Sequence, residues 1–173
     1  VIEDAAQALG ARRDGGSVGM TGDIGFFSLA AGKGLSIYEG GLLLAREPEL
    51  RERLARTAAR IVPNRIGTEW RRCIELLGYA ALYRPAGLGL AYGRPLRRAL
   101  RRSDPVAAVG DDFPLTIPLH RVGRWRQDVG AHAAVRLPAF LDQLSAQAQR
   151  RLPRLRRIPG VRVLDDPPDA QGT

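Results

Sequence analysis

Apolar residues fall along this chain in two textures. Through the first 50 positions they form short runs closed by glycine or polar residues: Val1–Glu3, Gly25–Ser28 at the end of Asp23–Ser28, and Leu42–Ala45. Runs this short, separated by turn formers such as Asp14-Gly15-Gly16, predict strands. After Glu47-Pro48-Glu49, which places a proline and acids in a first turn, Leu50 and Leu54 share a face, predicting a helix to about Arg60. The pattern from Glu69 to Arg102 is helical again, broken at Arg84-Pro85. Residues 103–118, with Asp104, Asp111, Asp112 and three prolines, read as a loop. Leu119–Val135 and Ala139–Leu152 read as helices, with Pro138 as a break or a new first position. Pro159-Gly160 makes a turn, and Val161–Leu164 starts a strand.

Two stretches carry alternative readings. Ile74–Gly93 is apolar and about long enough to span a bilayer. Glu75, the Arg84-Pro85 break and several glycines argue against a spanning helix, while Arg71, Arg72 and the arginines from Arg94 to Arg102 leave interfacial membrane contact open. Packing against protein is the favoured reading. Arg150 to Arg157 holds five arginines but lacks the aromatic interleaving of a nucleic-acid surface, so it reads as a solvated helix end. No internal repeat, metal-ligand cluster or phosphate-loop signature accompanies these segments, and His120 and His132 stand apart.

Composition sharpens this picture at one point. The chain has 173 residues and is 45% hydrophobic, which is globular and excludes general disorder. Its single cysteine, Cys73, allows no internal disulfide and reads as a core thiol. Val1-Ile2-Glu3 reads as the tail of a strand already under way, so the chain is expected to be an internal piece of a longer protein. The net charge is +9, yet 26 of the 27 basic residues are arginine and the one lysine is Lys33. Arginine serves for charge at a solvated surface, but only a lysine amine can lose its proton and attack a carbonyl. A lone lysine in the small-residue loop Ala30-Ala31-Gly32-Lys33-Gly34 is therefore a candidate nucleophile.

Asp4, Gln7 and Ser28 surround that candidate. Pyridoxal phosphate (PLP) asks for a lysine at its aldehyde, a carboxylate at its pyridine nitrogen, a donor near its ring oxygen, and hydroxyls or backbone N–H groups at its phosphate. Asp4 follows a predicted strand and Ser28 ends one, both at carboxyl ends, where open α/β sheets bind ligands. Gln7 can return to the same side. Taken singly, each residue has a plainer role as a turn cap, a surface amide or a strand-end hydroxyl. Their joint order within a strand–loop–strand frame points to PLP.

The run Val1-Ile2-Glu3-Asp4-Ala5-Ala6-Gln7-Ala8-Leu9-Gly10 resembles the aspartate segment of the DegT/DnrJ/StrS family of sugar aminotransferases. Val18-Gly19 followed by Gly22–Ser28, and then Lys33 with Glu39-Gly40-Gly41, is similar to that family's next strand and its Schiff-base loop, so the likeness covers about the first 50 residues. The resemblance implies that Asp4 pairs with the pyridine nitrogen, Gln7 contacts the ring hydroxyl side, Ser28 binds phosphate, and Lys33 carries the cofactor and shuttles the proton. It also implies a homodimer and transfer of an amino group from an amino acid, usually glutamate, to a keto sugar on a nucleotide carrier. Three departures stand out. Tyr38 occupies a position where the family usually has glycine; Ala30-Ala31-Gly32 replaces a bulkier run; and Pro63 to Cys73 holds no Asn-x-Arg segment.

The fold class expected is α/β: part of the large domain of a PLP-dependent aminotransferase, a mixed sheet with helices, then further helices and the start of a small C-terminal domain. The expected divisions are the large-domain part over 1–60, a divergent helical segment and loop over 61–118, and connecting helices with the start of the small domain over 119–173. A cytoplasmic enzyme with small-molecule amino donor and keto-sugar acceptor, and with no metal or nucleic-acid partner, is expected. The lysine at 33 favours transamination over the sugar dehydration that relatives with histidine there catalyse. The rival reading is an inactive scaffold or regulatory module, membrane-associated through residues 74–93.

Overall fold

The computed structural model describes residues 1–104, 119–164, 167 and 169–172. These residues form two compact units, one of Val1–Ile61 with Val122–Thr173 and one of Val62–Arg121.

The first unit is built on a three-stranded sheet ordered β1 (Ile2–Asp4), β4 (Ile24–Ser28), β5 (Gly41–Ala45). β1 runs parallel to β4, with Asp4 opposite Phe26, and β5 runs antiparallel to β4, with Ser28 opposite Gly41. The sheet is therefore mixed, as the family resemblance implies. Phe27 and Ala45 are buried on it beside Ala5, Leu35 and Ile37. Alternation sets this core: in β4 the buried positions Gly25 and Phe27 flank the half-buried Phe26. β5 leads into α1 (Pro48–Ile61), with Pro48 at its start and Glu49 in its first turn.

A second, smaller sheet is ordered β3 (Gly16–Ser17), β2 (Arg12–Arg13), β6 (Ala170–Gln171). The turn expected at Asp14-Gly15-Gly16 joins β2 to β3; the strands themselves, and β6 pairing antiparallel with β2, were not expected. Asp169 accepts from the Asp14 amide at 2.8 Å and from the Arg13 side chain at 3.2 Å, fixing this closure.

α5 (Arg124–Leu155) corrects the expected pair of helices over Leu119–Val135 and Ala139–Leu152. It starts five residues later than expected and runs through Pro138 without a break. Contacts on both sides of the proline explain why: Gly130 packs against Ile37 before it, and Leu141 against Gly10 after it. Tertiary packing thus outweighs the lost helical hydrogen bond. The strand expected at Val161–Leu164 is not formed.

The second unit contains α2 (Ile66–Leu82), α3 (Pro85–Leu88), a π-helical turn over Gly89–Gly93, and α4 (Arg94–Arg101). The interruption falls at Tyr83–Arg84, where Pro85 forces a new start. Leu76 is buried, and Tyr79 and Tyr83 stack with ring centroids 4.8 Å apart. Burial pushes the Glu75 carboxyl up, but hydrogen bonds from Arg72 at 2.6 Å and Arg71 at 2.9 Å outweigh it and leave the pKa lowered. Among the described residues, no helix is long and apolar enough to cross a membrane. The loop expected over residues 103–118 lies mostly outside the described residues.

Candidate functional site

The site forms where the sheet ends. β4 delivers Ser28 at its carboxyl end, and the chain then runs out through Leu29–Ala31, turns past Lys33 and returns through Ile37–Gly40 into β5. The two limbs are laced together: the Leu29 amide donates to the Gly40 carbonyl at 2.9 Å, the Ile37 amide to Leu29 at 3.0 Å and the Ala31 amide to Tyr38 at 2.8 Å. Lys33 thus sits near the tip of a hairpin extended from the sheet, its own amide donating to the Ala30 carbonyl at 3.3 Å. Leu35 and Ile37, either side of the tip's return, are buried and anchor it.

β1 approaches from the other side. The Ala5 amide donates to the Phe26 carbonyl at 2.9 Å, extending the β1–β4 ladder by one step. A turn follows, in which the Asp4 carboxylate accepts from the Ala6 amide at 3.0 Å and the Ala8 amide donates to the Ala5 carbonyl at 3.0 Å. That turn swings Gln7 back over the sheet end. The Lys33 amine donates to Gln7 Oε1 at 2.5 Å.

Gln7, Ser28 and Lys33 line one cavity of about 190 Å³, with Ala6, Gly32 and Gly34 beside them. Phe140, Leu141 and Leu144 of α5 form its apolar wall. The Ser28 hydroxyl accepts weakly from the Ala30 amide at 3.4 Å. Three of the four residues singled out in the sequence are therefore brought together. Asp4 stands at the end of β1, three residues before Gln7, but is not part of the cavity lining. An amine, an amide and a hydroxyl converge on a cavity with an apolar wall, a donor set that fits the aldehyde, ring oxygen and phosphate of PLP; the carboxylate for its ring nitrogen is not among the lining residues. Among the described residues, no group of histidine, cysteine and acidic side chains is arranged to hold a metal ion.

Two residues that hold the segments around this sheet were not singled out. Glu3, beside Asp4 on β1, accepts from the amides of Gly19 and Thr21 at 2.8 Å, from the Thr21 hydroxyl at 2.6 Å and from the Gly22 amide at 3.2 Å. The Thr21 hydroxyl and these amides lower its pKa from 4.5 to about 2. Glu3 so fixes the loop that enters β4. The other is Arg126 of α5, completely buried, with Nη1 2.5 Å from the Glu39 carbonyl and 3.4 Å from the Ile37 carbonyl. Nothing in an arginine-rich helix marks this one arginine as different.

Comparison with known proteins adds to this geometry. Residues 1–79 match the model of the DegT/DnrJ/EryC1/StrS aminotransferase family. The resemblance read from the first 50 residues holds, and the match extends through α1 and most of α2. Protein MosB of Rhizobium meliloti is 46% identical over 54 residues, which are 31% of this chain and 11% of that protein. The UDP-N-acetyl-3-dehydro-alpha-D-glucosamine 3-aminotransferase of Acidithiobacillus ferrooxidans is 46% identical over 55 residues, 31% of this chain and 15% of that enzyme. Among solved structures, a Streptococcus pneumoniae protein assigned as a sugar aminotransferase, in its PMP form, aligns over 99% of this chain and 36% of that one, with a TM-score of 0.56 at 15% identity. The fold is accordingly similar to part of that structure's fold, and this chain spans about a third of its length.

Proposed function

We propose that this chain carries the lysine-bearing part of a PLP-dependent aminotransferase that moves an amino group from an amino acid, glutamate by the family resemblance, to a keto sugar carried on a nucleotide. The observation that carries the reading is the meeting of the Lys33 amine and the Gln7 amide at 2.5 Å, in a cavity that also takes the Ser28 hydroxyl. The relatives support the substrate class: one is named for amination of a UDP-linked keto sugar and another as a dTDP-sugar transaminase.

When bound, PLP supplies an electron sink that stabilises negative charge on the carbon losing its proton. Lys33 would supply the amine that holds the cofactor's aldehyde carbon and, as a free base, would carry the proton at the reacting carbon. Gln7 orients the Lys33 amine and presents an amide toward the ring's polar edge. Ser28, at the carboxyl end of β4, offers a hydroxyl to the phosphate. By the family resemblance Asp4, at the end of β1 and outside the cavity lining, would pair with the ring nitrogen. Phe140, Leu141 and Leu144 exclude water from one wall. A homodimer and a cytoplasmic setting belong to the same reading.

The test uses the full-length protein. It is mixed with PLP, reduced with borohydride and digested, and the modified peptide is mapped by mass spectrometry, with Lys33→Ala as the control. A phosphopyridoxyl group on Lys33, absent from the control, supports the reading. A folded, PLP-saturated sample with no adduct at Lys33 overturns it and leaves the scaffold alternative.

A further inference from the structure

We infer that Arg126 is a positioning residue for Lys33, holding the lysine's loop in place through its backbone. The inference rests on Lys33 being the cofactor-binding amine and adds a residue that neither the motif nor the cavity lining contains. The hairpin that carries Lys33 has two edges. The carbonyls of Tyr38 and Gly40 on the return limb accept from the outgoing limb. Those of Ile37 and Glu39 turn to the other side and accept from Arg126. The guanidinium thus captures an edge that the hairpin itself leaves open.

Burial makes this attachment strong. Arg126 is 0% exposed. A guanidinium taken out of water is tolerable only where its donors are satisfied, so releasing the Ile37 and Glu39 carbonyls leaves a buried charge short of partners. The anchor is also stiff. Arg126 lies in the first turn of a 32-residue helix, and one turn later Gly130 brings that helix against the limb, where a Cβ would stand 3.2 Å from the Ile37 methyl. Further along, the same helix provides the apolar wall of the Lys33 cavity. One rigid element therefore fixes both the limb behind Lys33 and the wall in front of it.

The consequence is that the Lys33 amine is held by α5 as well as by Gln7. Removing the guanidinium frees the loop while the sheet beneath stays paired. The experiment compares the full-length protein with its Arg126→Met variant, both free of cofactor, by two measurements. Amide hydrogen exchange is read at Ala31 and Ile37 against β4 and β5. The rate of Lys33 acylation by an amine-directed reagent is read by peptide mapping. The expected result is faster exchange confined to the loop, with Lys33 labelling accelerated by at least about tenfold, the scale of losing hydrogen bonds to a charged group. Unchanged loop exchange, exchange raised equally throughout the sheet, or an unchanged Lys33 rate each overturns the inference. If the variant does not fold, the wild-type protein decides. Ala31 and Ile37 must then open together with the second turn of α5, and a loop that exchanges freely while that turn stays protected overturns the inference. Failure of the cofactor reading is separately visible, because a missing borohydride adduct leaves these cofactor-free measurements intact.

Discussion

Lys33 and Gln7, 26 positions apart in sequence, are joined by a 2.5 Å hydrogen bond from amine to amide. Their roles separate by substitution. Lys33→Arg retains a cation that can donate to Gln7 but has no amine nucleophile, so its melting temperature is expected to match the parent protein while the borohydride adduct disappears. Gln7→Ala leaves the nucleophile and removes its orienting partner. Affinity for PLP, followed by fluorescence titration, is expected to fall about tenfold, the scale of one hydrogen bond to a charged group.

Glu3 gives the stability of the first unit a defined acid limit. Its carboxyl titrates near 2 in the folded protein, against 4.5 as the ordinary value. The unfolded chain therefore binds the proton more readily, and stability rises with pH across that interval. The contribution is present in full above about 4.5 and is lost as pH falls toward 2. Urea titrations at pH 5 and pH 3 are expected to show a larger loss for the parent protein than for Glu3→Gln. Equal losses would remove Glu3 as the cause.

Gly25 is expected to tolerate no side chain. In register it lies opposite Glu3, and a Cβ there would stand 1.7 Å from the Gly19 carbonyl oxygen, a backbone atom that cannot swing aside. Gly25→Ala must therefore part β4 from the loop that Glu3 holds. The expected cost is about 3 kcal/mol in chemical denaturation, at the upper end for overpacking.

Tyr38 stands where the resembled family usually has glycine, and its φ is +74°. That left-handed conformation is costly for any residue with a Cβ. Tyr38→Gly is expected to be more stable than Tyr38→Ala by about 1 kcal/mol, since both remove the ring and only one relieves the backbone. Equal stabilities of the two variants would show that the loop relaxes instead.

The strand-and-loop frame of the first 50 residues was legible because each strand is a short apolar run with glycine or polar turns at its ends. Lys33 was legible for a chemical reason, as the only amine side chain among so many guanidinium groups. What lay beyond reach was long-range. Local rules allow Pro138 to end a helix, and contacts on either side of it, Gly130 with Ile37 and Leu141 with Gly10, favour a continuous α5. β6 is two residues long and exists because Arg12 and Arg13 accept it as a partner. Arg126 is chemically identical to its surface neighbours, and burial alone separates it from them. Glu3 and Asp4 are adjacent acids; the sequence pointed to Asp4, while the loop amides gather on Glu3.

The antiparallel pairing of β4 with β5 has a consequence for how the molecule assembles. Ser28 and Gly41 meet across a short connection, so the segment that displays Lys33 closes with little loss of chain entropy. Arg12 and Gln171 lie 159 positions apart, and their pairing must wait for almost everything between them. The lysine hairpin is thus a local structure that forms early, and the pairing of β2 with β6 is a late event. A ribosome releasing this chain would already have a folded Lys33 loop before the residues that seal β2 had been made.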